Sequence, residues 1–373
     1  MMFTTEGTEE TEPSGPSVPS VVQIISPATL EECSEALSTK HRIAFAGGGT
    51  ERELGNPPAA IDAEVRTDRL RRIVEYSSSD MVLTAEAGVT LAEVNAIARE
   101  HRQMLALDPP QPERATIGGL VATGAFGPRR AKYGAIRDLI IGVTLVRADG
   151  VIARGGGKVV KNVAGFDLPK VACGSLGTLA MIAEATFRLH PLPEKSATAV
   201  FRGLTADRVF ATVKMIRDKQ LEPASVVAAR TAPNTYDLGV RFEGFSKGVD
   251  EQMSRLGKSH EDFDFNAARS GGPTRVRIAA LPSHFAEVDR VIESLEPKSF
   301  AWYATLGIGF LECGGRAAAL LDARKKLNLI VEQGNPGIDA WGPAGNSLPI
   351  MRNLKNRFDP ERRLNPGRFA GGL

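Results

Sequence analysis

The chain has 373 residues, of which 42% are hydrophobic and 24% are charged, and its formal net charge is only +2. This near-neutral balance gives no electrostatic argument for binding nucleic acid or an anionic membrane surface. Its three widely spaced cysteines have the spacing of neither a disulfide framework nor a metal site, and no apolar run is long enough to span a bilayer. We therefore expect a soluble, cytoplasmic protein of two or three domains.

The first elements follow a polar N-terminus. Residues 1–20 are rich in Glu, Thr, Ser and Pro, which predicts a disordered tail. A strand is then predicted just after Val21, and Thr29 and Thr90 each precede a glutamate three residues on, the spacing of a helix capping box. This rhythm of short strands and short helices indicates an α+β fold rather than a βαβ array. The further predicted elements are strands 43–45 and 81–86 and helices 29–40 and 90–101.

A glycine loop follows the strand at 43–45. The run Gly47, Gly48, Gly49 and Thr50 can direct several backbone N–H groups into one concave nest for phosphate. It is not a dinucleotide fingerprint, because position 52 is arginine where glycine is needed. The later run at 155–158 is not a P-loop, because valine follows its lysine. If a nucleotide binds here, a different fold holds it.

A second glycine-rich stretch spans residues 115–134, with five glycines in twenty residues. Its apolar residues need burial, so we interpret it as a wall of small residues against a large planar ligand. A buried strand is predicted over 136–146, with a hairpin turn at 148–150. The first half then closes with a helix near 166–170, a glycine turn at 174–179 and a strand at 181–189.

The second half, residues 196–356, has fewer glycines and alternates helices with strands. This pattern predicts an antiparallel sheet backed by helices, in a second domain of α+β type. A helix over 348–358 and a series of turns complete the chain. The predicted helices are 206–219, 250–257, 284–295 and 316–327, and the predicted strands are 225–230, 239–243, 274–281 and 299–310.

Five separated pieces give the chain a family resemblance. They are AGGGT (46–50), LDPP (107–110), ATIGGLVATGAFG (115–127), YGAIRD (133–138) and KNVAGFDL with GSLGTL (161–179). In this order they resemble the FAD-binding PCMH-type domain of vanillyl-alcohol-oxidase-like oxidoreductases, and DPERRLNPGRF (359–369) resembles the C-terminal signature of that group. Within it, the chain is most similar to the FAD-binding subunits of bacterial glycolate oxidase. The resemblance implies an FAD-binding domain over 21–193, a cap domain over 196–356 and a C-terminal segment, 357–373, that returns to the flavin.

The resemblance also implies FAD as a cofactor, bound without a covalent link, because Thr50 stands where flavin-linking relatives often place histidine. Gly47 to Thr50 are expected at the pyrophosphate and Asn365 at the flavin ring. The other implied FAD-binding residues are Pro110, Thr116, Ile117, Gly118, Gly119, Thr123 and Gly124 along the cofactor, Tyr133 and Gly134 on the flavin side, and Gly174, Gly177 and Ile182 at the adenosine end.

Oxidation of a 2-hydroxy acid needs a cation for the carboxylate and a base for the hydroxyl proton. The candidates in the cap domain are Arg241, Arg277 and His284. No metal site is predicted, because the five histidines are scattered. This departs from lactate- and glycolate-oxidising relatives, which carry a metal-binding His/Glu cluster.

Three functions therefore remain open. The first is an FAD-carrying subunit of a glycolate-oxidising complex, between a catalytic flavoprotein subunit and an iron–sulfur subunit, through which it would also contact the membrane. The second is a stand-alone FAD-dependent dehydrogenase of glycolate or D-lactate. The third is a flavin-free scaffold subunit.

Overall fold

The computed structural model describes residues 22–157, 166–266 and 272–373. The tail predicted at 1–20 and the KNVAG part of one sequence motif lie outside these ranges. Within them, helices combine with four sheets in a mixed α+β architecture. None of the helices in these ranges is long and apolar enough to cross a bilayer.

The chain begins with a small parallel sheet. Strands β1 (Gln23–Ile25) and β2 (Ile43–Ala46) both pair in parallel with β3 (Ala63–Arg66), and helix α1 (Leu30–Ser38) connects the first two. The Thr29 side chain caps α1 by accepting from the Glu32 N–H at 3.1 Å. The sequence reading did not predict this parallel pairing. Its consequence is that the carboxyl ends of β2 and β3 lie side by side.

A five-stranded antiparallel sheet forms the centre of the first half, in the order β4-β5-β9-β7-β8. The capping box at Thr90 is confirmed, with reciprocal bonds to Glu93 at 2.8 and 3.2 Å. The remaining elements of this half are strands β4 (Ile73–Ser77), β5 (Val82–Glu86), β6 (Gln103–Met104), β7 (Ile140–Val146), β8 (Ile152–Gly156), β9 (Met181–Arg188) and β10 (His190–Pro191), and helices α2 (Leu91–Glu100), α3 (Ile117–Thr123), α4 (Arg130–Tyr133), α5 (Ile136–Leu139) and α6 (Leu168–Ala172).

Two predictions for this half need correction. The glycine-rich stretch at 115–134 contains helix α3, which was not predicted, capped by the Thr116 hydroxyl and ended by Gly124 at φ 65°. Glycine disfavours helices in isolation, but Gly118 allows α3 to pack directly on Ala87, where a Cβ would stand 2.7 Å from the alanine Cβ. The strand predicted at 136–146 starts only at Ile140, after the turn of helix α5. The hairpin at 148–150 is confirmed by the pairing of β7 with β8.

A seven-stranded antiparallel sheet organises the second half, in the order β11-β13-β12-β15-β16-β14-β17. The predicted antiparallel sheet backed by helices is therefore confirmed. Its strands are β11 (Lys195–Leu204), β12 (Ser225–Ala232), β13 (Thr235–Gly244), β14 (Thr274–Ala279), β15 (Pro297–Tyr303), β16 (Ile308–Cys313) and β17 (Asn328–Gln333), and the helices that follow in the chain are α7 (Ala206–Asp218), α8 (Ser246–Leu256), α9 (Phe285–Ile292), α10 (Ala317–Arg324) and α11 (Leu348–Phe358).

The single strand predicted at 299–310 is wrong. It is a hairpin of β15 and β16, whose turn contains Gly307 at φ 66°. The apolar residues continue through the tip of the hairpin, so the sequence pattern does not mark the break. Strand β17 was not predicted at all.

The two faces of the seven-stranded sheet differ in what covers them. Val240, Trp302 and their neighbours on one face pack in a large apolar core with residues of α7, α8, α9 and α10. The opposite face, here called the inner face, carries Val227, Tyr303 and Phe310, and Phe126 from the first half packs against it. The inner face is therefore where the two halves of the chain meet.

The C-terminal segment returns to the parallel sheet. Leu364 bridges Ile43 of β2 in parallel, and backbone bonds join Asn365 N to Ile43 O and Ile43 N to Arg363 O at 2.7 and 2.8 Å. The end of the chain thereby contacts the strand that leads into the glycine loop.

Candidate functional site

A cleft of about 840 Å³, partly open to solvent, lies between the glycine loop, helix α3, the turn before β9 and the C-terminal segment. Eleven of the residues predicted to bind a cofactor line it, although they are spread over more than 300 positions of sequence. They are Gly47, Gly48, Gly49, Thr50, Thr116, Gly118, Gly119, Thr123, Gly177, Ile182 and Asn365.

The glycine loop exposes backbone donors to this cleft. Among the described residues, the N–H groups of Gly47, Gly48, Gly49 and Thr50 have no protein acceptor. The loop is fixed from behind, because Arg114 Nη2 donates to Gly48 O at 3.2 Å and a Cβ on Gly48 would stand 1.6 Å from Arg114 O. A rigid row of unpaired N–H groups is the arrangement that binds a phosphate.

Thr67 adds a side-chain donor that the sequence reading missed. It lines the cleft directly after β3, and its buried Oγ1 has no hydrogen-bond partner among the described residues. Because buried hydroxyl groups nearly always have a partner, this hydroxyl is available to bond an oxygen atom of a ligand or of a water molecule in the cleft. The parallel pairing of β2 and β3 is the signal that would have revealed it, since that pairing places Thr67 beside the glycine loop.

Six of the predicted cofactor residues do not line the cleft. Ile117 is fully buried in the apolar core, and the Tyr133 hydroxyl donates to Glu243 Oε2 at 3.2 Å. Gly124 and Gly174 face each other at the end of α3. Pro110 and Gly134 complete this group, and contact of any of the six with the cofactor stays a prediction.

Asn365 lines the cleft, but its side chain is engaged by the protein. Its Oδ1 accepts from Phe45 N at 3.2 Å, and its Nδ2 donates to Leu176 O at 2.6 Å. The side chain therefore ties the end of β2 to the turn before β9, and the predicted contact with a flavin ring stays a prediction.

Arg368 is a second residue missed by the sequence reading. Its guanidinium donates to three backbone carbonyls of the turn after the glycine loop: Leu54 O at 3.0 Å, Arg52 O at 2.6 Å and Glu51 O at 3.3 Å. Burial, and then the charge of Arg52, lower the pKa of Arg368. The C-terminal segment thus holds the glycine loop from its far side.

A buried ion pair fixes that segment. Lys355 Nζ, 1% exposed, donates to Asp359 Oδ2 at 2.8 Å, Leu364 O at 3.0 Å and Thr178 O at 2.6 Å. Asp359 in turn accepts from the backbone N–H groups of Arg363 and Leu364. Every donor of the ammonium group is used, so the pair sets the path of residues 359–365 towards the cleft.

A second group of charges lies where the two halves meet. Glu243 on the inner face accepts from Arg129 Nη2 at 2.6 Å and Nε at 3.1 Å, and the Asp108 carboxylate accepts from Arg129 N. Burial raises the pKa of Asp108 to about 7, against the lowering influence of Arg129 and Arg241. Arg241 lies 3.9 Å from the centre of the Phe265 ring.

Two of the three candidate substrate residues lie on the inner face, and the third does not. Arg277 Nη1 is 3.4 Å from Glu332 Oε1 on this face, and Arg241 follows the same face on β13. His284 precedes α9, the helix packed on the opposite face, and its side chain is 56% exposed. His284 therefore lies apart from the other two candidates, and its role as a substrate base stays a prediction.

The donors in the cleft fit an elongated nucleotide cofactor, because unpaired N–H groups, an unpartnered hydroxyl and side-chain-free walls occur together. The described ranges contain no group of three or more His, Cys, Asp or Glu residues that could hold a metal ion.

Comparisons with known proteins agree with this geometry. Residues 21–156 match the family model described as an FAD binding domain. The chain is 33% identical over 360 residues to the glycolate oxidase subunit GlcE of Escherichia coli (strain K12), covering 93% of this chain and 98% of that protein.

Two further relatives are longer than this chain. A D-lactate dehydrogenase of Archaeoglobus fulgidus is 31% identical over 65% of this chain, and the glycolate oxidase subunit GlcD of Bacillus subtilis is 31% identical over 54%. The matches span 54% and 44% of those two proteins. A solved alkyldihydroxyacetonephosphate synthase shares the fold, with a TM-score of 0.65 at 17% identity over 92% of this chain and 75% of that one.

Proposed function

Since the chain belongs to the family of FAD-binding oxidoreductases that contains the glycolate oxidase subunit GlcE, we propose that it is the FAD-carrying subunit of a complex that oxidises a small 2-hydroxy acid, glycolate or D-lactate. FAD is its cofactor, and its substrates are electron donors that carry a CH–OH group. In this proposal its place is the cytoplasm, with any contact to a membrane made through partner subunits.

The observation that carries the proposal is the combination of unpaired donors in the cleft. The N–H groups of the glycine loop and Thr67 Oγ1 would hold the pyrophosphate and its neighbouring oxygens. Attachment would be non-covalent, because Thr50 occupies the loop and burial raises the pKa of the Cys173 thiol to about 12. A thiol in that state is a poor nucleophile for a flavin.

Bound FAD would supply hydride and electron transfer. The chain's own residues would bind and orient the acid at the inner face. Arg241 and Arg277 offer cations for its carboxylate, and Asp108 offers carboxylate oxygens that exchange a proton near neutral pH. The apolar packing around Phe126 would keep water from this region.

The proposal also includes two partner subunits. A catalytic flavoprotein subunit and an iron–sulfur subunit would lie on either side of this chain in the electron path. Cys33, Cys173 and Cys313 are distant in sequence, and two of them are buried in separate cores, so an iron–sulfur cluster would need a partner's ligands.

A stand-alone 2-hydroxy-acid dehydrogenase is the second candidate, favoured by the two arginines on the inner face. A flavin-free scaffold is the third, and the unpaired donors of the cleft count against it.

We would measure the flavin content of the chain purified alone, then add glycolate, D-lactate or succinate, which has no 2-hydroxyl group, in the absence of oxygen.

We expect a yellow protein with about one FAD per chain that glycolate or D-lactate bleaches only when the partner subunits are co-purified. Bleaching of the chain alone by either acid would establish the stand-alone enzyme instead. A colourless chain that takes up no added FAD would establish the scaffold, and bleaching by succinate would refute the substrate class.

A further inference from the structure

Two arginine side chains from different halves of the chain approach the same aromatic ring. The Cζ atom of Arg130, at the start of α4, lies 4.6 Å from the centre of the Phe126 ring. The Cζ atom of Arg277, on β14 of the inner face, lies 6.0 Å from the same centre. Both guanidinium groups are therefore held where the first half of the chain meets the sheet.

Arg130 differs from the residue before it in how its side chain is partnered. Arg129 donates two hydrogen bonds to Glu243 Oε1, whereas no hydrogen bond or ion pair from the Arg130 side chain occurs within the described ranges. The two internal segments outside those ranges, 158–165 and 267–271, contain no aspartate or glutamate in their sequence.

Arg277 is only partly neutralised. Within the part of the chain that the structure describes, its acidic partner is Glu332, at 3.4 Å, and the other oxygen of that carboxylate faces Arg275 Nε at 3.3 Å. Arg275 has a second acid, Glu51, at 2.8 Å, so Glu332 is shared between two arginines. Arg277 therefore shares its carboxylate partner with a second arginine.

The positive charge of Arg277 affects the pKa of Arg130. Burial, and then the charge of Arg277, lower the pKa of Arg130, while Asp138 acts in the opposite direction. The Asp138 carboxylate accepts a hydrogen bond from Ala135 N at 2.8 Å, and it forms no ion pair with Arg130 within the described ranges. Two like charges held near each other and partly removed from water disfavour the folded state unless an anion binds beside them.

We propose that Arg130 and Arg277 form an anion site at the junction of the two halves, which binds the carboxylate of a small organic acid. This inference rests on the proposed function, because it places the acid end of the 2-hydroxy-acid substrate. Arginine suits this role, since its planar fork can donate two parallel hydrogen bonds to a carboxylate. The buried Phe126 ring lies within cation–π distance of both guanidinium groups.

The test is calorimetric binding of oxalate, a small carboxylate without a hydroxyl group, to the full chain with whatever flavin it carries. We compare the wild type with Arg130→Met and Arg277→Met, which keep the apolar stem of each side chain. Each should weaken oxalate binding about ten- to a hundredfold, the effect of losing charge-assisted hydrogen bonds. The control is Arg137→Met, which removes an exposed arginine from the same stretch, and it should bind oxalate within twofold of the wild type.

A second measurement separates binding from folding. Without anion, Arg130→Met should melt at or above the wild-type temperature, and oxalate should raise the melting temperature of the wild type but not of the variant. Equal oxalate affinity in wild type and Arg130→Met would overturn the inference, as would no oxalate binding by the wild type. Tighter binding of inorganic phosphate than of oxalate would reject the carboxylate assignment.

The two proposals fail in different ways. A chain that carries FAD and is bleached by glycolate in its complex, yet binds oxalate without need of Arg130, would refute only the anion site. A chain without flavin would refute the proposed function, and the oxalate measurements would still decide whether the two arginines bind an anion.

Discussion

The substitution Gly48→Ala tests whether the glycine loop holds the cofactor. A Cβ at Gly48 would stand 1.6 Å from Arg114 O, about half of an ordinary contact distance. The loop backbone would have to move by about 2 Å, which exceeds the range over which an N–H group keeps its hydrogen bond. If two of the loop's N–H groups lose a bond to the pyrophosphate at about 1.5–3 kcal/mol each, FAD affinity falls on the order of 10² to 10⁴-fold.

The assay is the FAD content of the purified variant and its dissociation constant after reconstitution, followed by flavin fluorescence. Gly248→Ala is the matched control: it adds the same methyl group within α8, where nothing lies within 4 Å of the new Cβ. The control should keep wild-type FAD affinity. If Gly48→Ala also binds FAD within threefold of the wild type, the glycine loop is not the pyrophosphate site.

Three further substitutions probe the supports of the site. Arg368→Gln should lower FAD affinity on the order of tenfold or more, measured in the same reconstitution, because the turn at 51–54 loses its charged donors. Lys355→Met should lower the free energy of unfolding in a denaturant titration by about 3–5 kcal/mol, since it leaves Asp359 buried and unpaired. Asp108 has a raised pKa, so its ionisation costs stability as pH rises from about 4 to 7. Asp108→Asn should therefore be more stable than the wild type at pH 8 by roughly 1–4 kcal/mol and lose this advantage at pH 4; an equal difference at both pH values would contradict this.

The glycine positions are the part of the site that could be predicted from the sequence. Gly47, Gly48, Gly118 and Gly177 are visible in the sequence because each lies where a Cβ would strike a neighbour within 3 Å. Residues of that kind are informative singly, and their order along the chain carried the family resemblance. The conformation around them was less visible, since the glycines of α3 indicate a loop until the packing on Ala87 is known.

The residues missed by the sequence reading share a different property. Thr67 is an ordinary threonine after an ordinary strand, and only the parallel pairing of β2 and β3 brings its hydroxyl group to the cleft. Arg277 was a candidate, but Arg130 was not, because a lone arginine in a basic stretch resembles a solvated surface residue. Arg130 gains significance only from Arg277, which lies nearly 150 positions away in sequence, on strand β14.

The glycine loop itself is held by the last residues of the chain. Asn365 binds the end of the strand before the loop, and Arg368 binds the turn after it, so both flanks are fixed by side chains over 300 positions away. Because the loop keeps four backbone N–H groups unpaired, local interactions alone cannot keep it in the binding conformation. The order of the C-terminal segment, set by the buried Lys355–Asp359 pair, therefore supports the proposed cofactor site. Breaking the Lys355–Asp359 ion pair should reduce FAD affinity even though neither residue lines the cleft. If the loop held its conformation by local interactions alone, FAD affinity would not change.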